Sequence, residues 1–481
     1  MKFFLLLLFI LPTHSFGEDV PVKDPVLQRL LLDFSADMNA FDQFHGPSGM
    51  DPLVKNYMKS WMTWMNGGAQ GPAPVLVTKG KTWNFGLDLL AKADKKPVPK
   101  LENMKLDVPL AGKSSAMKDP ILYIQQRIGK ETFNLIQEEA VTPEVYGGNL
   151  ESWKNTLKAG EEAIHIPSPF EDWGIAKYYI PDVSGKPRLV FVIPPFKEYV
   201  LHYLAMFEVA SGKTHSGNLN LEDREAFSGL FKSSLLKLSS VVKKDLKQAW
   251  VMIGYQSKIE QMMKTEGKLV FSESDSVLSI SGYQMKGSGK MVVSVGIRPT
   301  VWGEGTSFLV KEILPYQPQG ILFMGSAGYL LDNKTSYANY SPLGFYDGSM
   351  KLLDLNSTIK GGEGIHFSTF SPLAETVDQV DRWKKAGILS VDVEEARVAE
   401  AIFKYNQTAK LKVQFEAINL ITDFPKGTGD GSHPEFDLNV INQEEKDQAR
   451  IDIVEKALTH VSEAGSFCDQ LMKGRLPKIG K

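Results

Sequence analysis

The sequence predicts an α/β protein whose C-terminal half forms a domain around a mixed, mostly parallel central sheet, preceded by a separate α+β N-terminal region. Two observations lead to this fold class. From residue 249 onward, short apolar runs alternate with segments of helical periodicity, which is typical of strands connected by helices. Before residue 220, helical and strand patterns are mixed without this alternation. The 481 residues are enough for about two or three domains.

The composition is that of an ordinary globular protein and excludes two function classes. Hydrophobic residues make up 43% of the chain and charged residues 23%. The 54 basic and 57 acidic side chains leave a formal net charge of -3, so the chain has neither a basic field for nucleic acid nor an acidic tail. We therefore expect neither a nucleic-acid-binding protein nor a charged disordered protein.

The first 17 residues have the pattern of a secretory signal peptide. Lys2 is followed by an apolar run over residues 3–11, and Ser15 and Gly17 place small residues at positions −3 and −1 before Glu18. The apolar run is shorter than the roughly 20 residues that a membrane-spanning helix needs. We expect residues 1–17 to be removed and the mature protein to be exported, either periplasmic or secreted, without a membrane anchor.

Residues 18–219 form the N-terminal region, in which the sequence indicates few elements and no function. The composition of residues 67–74 indicates a loop, and residues 91–100 read as a basic surface connection. Residues 188–193 (RLVFVI) predict a buried strand. Asn220 then has the properties of a helix N-cap, with Asp223 at the third helical position. Apolar residues at helical spacing continue from there, so residues 220–248 are expected to form one connecting helix.

Residues 249–475 form the predicted C-terminal domain. The expected strands cover residues 250–253, 277–284, 290–295, 320–324, 364–369, 388–391 and 413–421. The expected helices cover residues 305–314, 373–386, 394–405 and 444–472. Residues 285–289 (MKGSG) indicate a hairpin connection. In such a sheet, ligands bind beyond the carboxyl ends of the strands.

Neither a metal nor a disulfide is expected. Cys468 is the single cysteine, so no internal disulfide can form. The sequence contains no Cys-x-x-Cys and no His-x-x-x-His spacing, which makes a structural zinc site unexpected.

Four segments at predicted strand ends carry the chemistry-bearing residues of the C-terminal domain. They are FMGSAGYL (323–330), a strand running into a glycine-rich turn, HFSTFSPLAE (366–375), SVDVEEA (390–396) and NLITD (419–423). In this order and spacing they resemble the nucleoside phosphorylase superfamily, which contains purine nucleoside and uridine phosphorylases, methylthioadenosine/S-adenosylhomocysteine nucleosidases and AMP nucleosidase. The resemblance covers residues 247–474 and implies a phosphorylase-like three-layer domain.

The resemblance implies that the protein cleaves the N-glycosidic bond of a nucleoside, with a purine favoured. Asp423 would be the general acid that protonates the base, and Glu394 would hold the ribose hydroxyls beside the apolar wall of Val393. A carboxyl at the end of an apolar strand suits an acid role, since desolvation raises its pKa. Purely structural roles stay open for both residues, because Asp423 could cap a turn and Glu394 could be an ordinary acid in the first turn of a helix.

Other residues of the same segments would contact the base or the nucleophile. The glycine-rich segment would let the backbone approach closely at Gly325, Ser326, Ala327 and Gly328. Phe367 and Phe370 could stack on the base, although aromatic residues at strand ends are more often part of the core.

The sequence departs from both reaction types of the superfamily. Similar phosphorylases place an arginine two residues before the glycine-rich turn, where this chain has Phe323, and Arg298 is a substitute cation if phosphate is the co-substrate. Nucleosidases carry an acid after the first strand to activate water, and the next acid here is Glu260, one residue out of register. The missing arginine counts more strongly against phosphorolysis than the displaced acid counts against hydrolysis. Hydrolysis is therefore preferred, and phosphorolysis stays open.

The resemblance also implies a homo-oligomer, a small nucleoside or nucleotide as the partner, and no cofactor. An alternative is an exported, non-catalytic nucleoside-binding protein with the same fold. The chain keeps both carboxylates, which favours an enzyme over a protein with an inactive pocket, since burying an unpaired carboxylate costs folding free energy.

Overall fold

The structure is a computed structural model that describes residues 24–30, 33, 76–78, 81–83 and most of 99–463. The undescribed gaps within the last range are 108–109, 111–114, 118, 159–160, 162, 167–174, 182–185, 248, 276, 298–302, 332, 336, 354, 356–358 and 427–442. The predicted signal peptide, the predicted loop 67–74, Arg298 and Cys468 therefore lie outside the described residues.

The N-terminal region is built around a six-stranded sheet with the order β3-β8-β4-β7-β6-β5. A separate hairpin, β1 Leu76–Thr78 and β2 Lys81–Trp83, comes before this sheet in the chain. The six strands of the sheet are β3 Leu101–Lys105, β4 Thr142–Gly147, β5 Ile164–Ile166, β6 Ala176–Ile180, β7 Arg188–Ile193 and β8 Ser216–Asn220. Its helices are α1 Pro120–Ile128, α2 Lys130–Gln137, α3 Leu150–Lys154 and α4 Lys197–Ser211. The predicted strand at 188–193 is confirmed as β7, which is buried because β4 and β6 flank it.

Helix α4 joins the N-terminal region to the C-terminal domain. Most of its residues are buried, because the helix contacts strands β4 and β8 on one side and the turn at residues 372–374 on the other. Just before α4, the ring of Phe196 lies 6.0 Å from the ring of Phe308 in the C-terminal domain. One apolar core runs through both parts. The N-terminal region therefore has its own sheet, but it is not packed as a separate unit.

The predicted connecting helix at 220–248 is two helices, α5 Leu221–Lys237 and α6 Ser240–Leu246. Asn220 caps α5 as predicted, since its side chain accepts from the amides of Glu222 and Asp223 at 3.0 and 3.2 Å. The helix ends because Leu238 is extended, and the Ser239 hydroxyl then caps α6 by accepting from the amide of Val242 at 3.3 Å. A serine side chain that bonds nearby backbone competes with helix continuation. The prediction of one helix was wrong for that reason.

The C-terminal domain contains one large mixed sheet with the order β10-β11-β12-β9-β13-β18-β17-β15-β16, and β19 pairs with β13 and β14. The strands are β9 Trp250–Ile253, β10 Gly267–Ser274, β11 Leu278–Met285, β12 Met291–Ile297, β13 Gly320–Tyr329, β14 Asn339–Tyr340, β15 Gly344–Tyr346, β16 Leu352–Leu353, β17 Ile365–Ser368, β18 Ile388–Asp392 and β19 Gln414–Asp423. The helices are α7 Gln256–Glu266, α8 Glu304–Ile313, α9 Val377–Lys385, α10 Glu395–Thr408 and α11 Gln443–Glu463. The predicted strands and helices of this domain are present among the described residues, although the end of the predicted helix at 444–472 lies outside them, and the hairpin at 285–289 joins β11 to β12.

The sheet is the middle layer of three. On strand β9, Trp250 and Met252 pack against helices α7 and α11, while Val251 and Ile253 belong to the core that contains α8 and α10. This alternation follows from the two-residue period of a strand and explains why the central strands read as continuous apolar runs.

Two elements of the domain gave no clear signal in the sequence. Strand β10 lies at the sheet edge with only Phe271 buried, so it shows no apolar alternation. Helix α7 buries only Ile259 and Met263. Among the helices that the structure describes, none is long and apolar enough to cross a membrane.

Candidate functional site

The four predicted segments meet at one end of the C-terminal sheet. On β13, Gly328 pairs both with Val391 of β18 and with Asp423 of β19. On the neighbouring strand β17, Ser368 pairs with Asp392. Segments that are up to 100 residues apart in the chain are therefore brought together by strand pairing alone. We call this place the candidate site.

Asp423 ends strand β19 beside the glycine-rich segment. A Cβ atom at Gly328 would lie 3.0 Å from Oδ2 of Asp423, so glycine is needed for this close approach. The Thr422 hydroxyl donates to Oδ1 at 3.0 Å. Burial raises the pKa of Asp423, and the Thr422 bond offsets part of that shift. The residue as a whole is partly exposed.

Glu394 stands at the N-cap of helix α10. Its carbonyl accepts from the amides of Arg397 and Val398 at 3.0 and 3.2 Å, and its side chain is partly exposed. Burial raises the pKa of Glu394 well above the ordinary value, and the charge of Asp392 raises it further. Val393 beside it is buried.

Glu375 is a second carboxyl near Asp423 to which the sequence analysis assigned no role. Its side chain is 5% exposed, and burial raises its pKa well above the ordinary value, with the charges of Asp423 and Asp392 adding to that effect. Neighbouring desolvated carboxyls cannot both ionise without a large cost. The charge of Asp423 therefore makes ionisation of the buried Glu375 still less favourable. In the sequence, the only indication of a role for Glu375 is its position at the end of the 366–375 segment.

A buried polar network supports the start of helix α10. His366 bonds Ser390 Oγ through Nδ1 at 2.7 Å and Asp392 Oδ1 through Nε2 at 2.8 Å. The other oxygen of Asp392 accepts from the amide of Glu395 at 2.9 Å, which caps the helix directly after Glu394. Ser368 donates to Asp392 as well.

The same network brings together atoms that a metal ion could use. Ligand-type atoms of His366, Asp392 and Glu395 lie within 4.8 Å of one another, and all three residues are buried. However, Asp392 already accepts from a ring N–H, a hydroxyl and an amide, so its oxygens are occupied. The arrangement fits a structural network better than a metal centre.

The glycine-rich segment differs from the predicted turn. Residues 325–329 continue strand β13, because β19 offers ladder partners along this whole stretch. Gly325 and Ser326 are bound by Tyr255, whose hydroxyl donates to the Gly325 carbonyl at 2.8 Å and lies 3.1 Å from Ser326 Oγ. Ala327 and Gly328 are buried. Burial raises the pKa of Tyr255, and the charge of Glu394 is among the further causes, which places this tyrosine at the site.

Two predicted site residues lie elsewhere. Glu260 is on helix α7, where its Oε1 accepts from Gln256 at 3.0 Å and from Ser281 at 3.3 Å, and no described contact joins it to Glu394 or Asp423. Phe370 lines a cavity of about 700 Å³ between helices α4, α9 and α10, and that cavity does not include Glu394 or Asp423.

The N-terminal region also reaches the candidate site. Tyr123 of α1 lies close enough that, besides burial, the charges of Glu375 and Asp423 raise its pKa. Tyr199 of α4 is buried, and the charge of Glu394 adds to the effect of that burial on its pKa. Beside Tyr199, Glu198 lies 3.3 Å from the Nε atom of Arg397 in α10. The sequence offered no signal for these contacts.

Comparison with known proteins gave matches among solved structures only, since no protein-family model and no curated protein matches the sequence. Futalosine hydrolase of Helicobacter pylori is 11% identical with a TM-score of 0.35, covering 46% of this chain and 99% of that one. An S-adenosylhomocysteine nucleosidase from Streptococcus pyogenes is 16% identical with a TM-score of 0.32, covering 45% and 95%. Uridine phosphorylase from Vibrio fischeri is 15% identical with a TM-score of 0.33, covering 47% and 94%. These similar structures are a hydrolase, a nucleosidase and a phosphorylase.

Proposed function

We propose that this protein cleaves the N-glycosidic bond of a nucleoside and releases the free base, with a purine favoured. The supporting observation is that Gly328 pairs both with Asp423 and with Val391, which lies three residues before Glu394. Both carboxyls have raised pKa values, as the titratable groups of functional sites often have.

In the proposed reaction, Asp423 is the general acid. Breaking the bond leaves an oxocarbenium-like sugar and sends negative charge into the departing base, so a proton must reach the base. Burial raises the pKa of Asp423, which favours the protonated form that can donate a proton as the bond breaks.

Glu394 is proposed to hold the sugar. A carboxyl group can accept two hydroxyl hydrogen bonds at once, and the vicinal 2′- and 3′-hydroxyls of ribose match that spacing. The Tyr255 hydroxyl and the Gly325–Gly328 backbone would line the same cleft. Val393 supplies an apolar surface for the sugar ring.

Hydrolysis is proposed in preference to phosphorolysis. Phe323, at the position where similar phosphorylases carry arginine, is a buried core residue. Glu375 is proposed as the carboxylate that activates the water molecule, because it lies near Asp423. Glu260, which the sequence suggested for this role, bonds Gln256 and Ser281 instead.

The test measures base release from a panel of nucleosides and AMP, with and without phosphate, using protein that starts at residue 18. We expect release by the wild type, and a loss of about 10²–10⁴-fold in kcat for Asp423→Asn, since the amide cannot donate the proton. Asp378→Asn, at an exposed acid of helix α9, is the matched control and should keep full activity.

Two outcomes would contradict the proposal. If Asp423→Asn retained full turnover, Asp423 would not be the acid. If the wild type bound nucleosides but released no base under either condition, the exported nucleoside-binding protein would be the better explanation.

A further inference from the structure

We propose that the cavity between helices α4, α9 and α10 is a second binding site, which takes an aromatic molecule that carries one carboxylate group. The cavity is distinct from the candidate site, because neither Glu394 nor Asp423 lines it. The inference therefore goes beyond the proposed function, and its test does not require turnover.

The cavity has the size and the position of a ligand site. Its volume is about 700 Å³, and cavities that hold small organic ligands measure about 300–1,000 Å³. Both regions of the chain form its wall. Leu106, Lys197 and Leu201 come from the N-terminal region, and residues of helices α8, α9 and α10 come from the C-terminal domain. Boundaries between two regions are common places for small ligands to bind.

One part of the wall is apolar and aromatic. Phe367 of β17 and Trp383 of α9 both line the cavity, with 5.5 Å between their ring centroids. Leu106, Leu110 and Leu201 line it from the N-terminal region. Binding a flat aromatic ring against such side chains is favourable, because apolar surface is removed from water.

Arg397 of α10 supplies the polar group that would fix a ligand. It lines the cavity, and its side chain is 24% exposed. Its Nε atom lies 3.3 Å from Oε1 of Glu198 but is buried without a hydrogen-bond partner. Among the residues that the structure describes, none accepts a hydrogen bond from this side chain. A guanidinium has five N–H donors in a planar fork that matches a carboxylate, so donors remain for a ligand.

The charges on the wall favour a ligand with a single negative charge. Among the described residues that line the cavity, five are basic and four are acidic. One of these acids, Glu304, is paired with Arg224, which is not part of the wall. Lys311 lines the cavity with its ammonium 5.2 Å from the ring centre of Phe308, and it forms no ion pair with a described carboxylate. The positive excess is small, so a carboxylate is compensated better than a doubly charged phosphate.

A purely structural role for Arg397 is the competing explanation. Its contact with Glu198 joins α10 to α4, so the pair could serve only to hold the two regions together. That role predicts a loss of stability when Arg397 is replaced, without any effect on the choice of ligand. The readout is therefore the binding of a charged molecule compared with an uncharged one of the same shape.

The experiment measures binding of biphenyl-4-carboxylate and of its uncharged analogue biphenyl-4-methanol by titration calorimetry to the full chain from residue 18. We expect the wild type to bind one carboxylate per chain, about tenfold or more tightly than the alcohol, because a charge-assisted pair forms with the guanidinium. Arg397→Gln should remove this preference. Arg188→Gln replaces an ion-paired arginine of similar exposure, 26%, that does not line the cavity, and it should keep the preference.

Two further variants complete the test. Phe367→Leu should weaken binding of the carboxylate and of the alcohol by a similar factor, since both would use the aromatic wall. If Arg397→Gln does not fold, Arg397→Lys replaces it. A smaller preference for the carboxylate is then expected, because lysine lacks the planar fork.

Several results would overturn the inference. They are no binding of the carboxylate by the wild type, equal affinity for the carboxylate and the alcohol, and unchanged binding in folded Arg397 or Phe367 variants. Displacement of the carboxylate by adenosine would place it at the candidate site and would also overturn the inference. Binding that depends on Arg397, in a protein that releases no base, would support the second site while refuting the proposed function.

Discussion

Glu375 and Asp423 are neighbouring carboxyls whose pKa values are both raised. Burial is the first cause for each, and for Glu375 the charge of Asp423 adds to it. Raised carboxyl pKa values are typical of groups that act as acids. The dependence of activity on pH can therefore test which carboxyl donates the proton.

We expect base release to fall as pH rises through the raised pKa of this pair, because the donor proton is then lost. Glu375→Gln keeps a neutral side chain next to Asp423, so we expect its loss of activity to begin at the same pH as in the wild type. The measurement is a profile of kcat against pH for both proteins, with Glu260→Gln as the comparison. A loss that begins at lower pH in Glu375→Gln would show instead that an ionised Glu375 raises the pKa of Asp423.

Helix α10 illustrates how one element places a functional side chain. Its N-terminal turn is fixed by Asp392, and Asp392 is fixed by His366 on the neighbouring strand β17. Burial alone lowers the pKa of His366, but the charges of Glu395 and Asp392 outweigh it and raise the pKa overall. The imidazolium form therefore stabilises the start of the helix that carries Glu394.

Replacing His366 by asparagine should destabilise the protein by about 3–5 kcal/mol, because it breaks a buried ion pair and leaves Asp392 and Glu395 without a cation. A raised pKa means that the ion pair stabilises the native state fully below the unfolded value and ceases to do so as pH rises through the folded value. The difference in unfolding free energy between wild type and His366→Asn should therefore shrink with rising pH, measured in urea. His215→Asn, at a half-buried histidine outside the network, should show no such trend.

At the scale of the whole molecule, the two regions share one apolar core. Phe196 is fully buried, with its ring 4.8 Å from Phe227 and 6.0 Å from Phe308. Ion pairs between Arg224 and Glu304 and between Arg397 and Glu198 cross the same boundary. Regions joined in this way are expected to unfold together.

We expect a single urea transition seen equally by far-ultraviolet circular dichroism and tryptophan fluorescence. Phe196→Ala should shift both signals together and lower the free energy of unfolding by about 3–5 kcal/mol, since it leaves a cavity in the shared core. Leu230→Ala, at an exposed leucine of helix α5, should change it by about 0.5 kcal/mol at most. Two separate transitions, only one of them shifted by Phe196→Ala, would show that the regions are independent.

Local patterns in the sequence were enough to predict most elements of the C-terminal domain. Apolar runs such as residues 250–253 and 388–391 correspond closely to strands β9 and β18, because a strand covered on both faces must be apolar along its length. The break at Leu238–Ser239 was missed because a serine cap and a helical serine look alike in sequence. The edge strand β10 was missed because one buried residue leaves no pattern.

The sequence by itself determined the order of most elements of the C-terminal domain, since apolar runs and helical periodicity are local properties. Only the tertiary structure decided which groups lie near Gly328, Glu394 and Asp423. Glu375 comes close enough to Asp423 for that charge to raise its pKa, Tyr199 comes from a region without any motif, and Glu260 accepts from Gln256 and Ser281. These outcomes depend on contacts between residues far apart in the chain, which leave no periodic or spaced signature in one sequence.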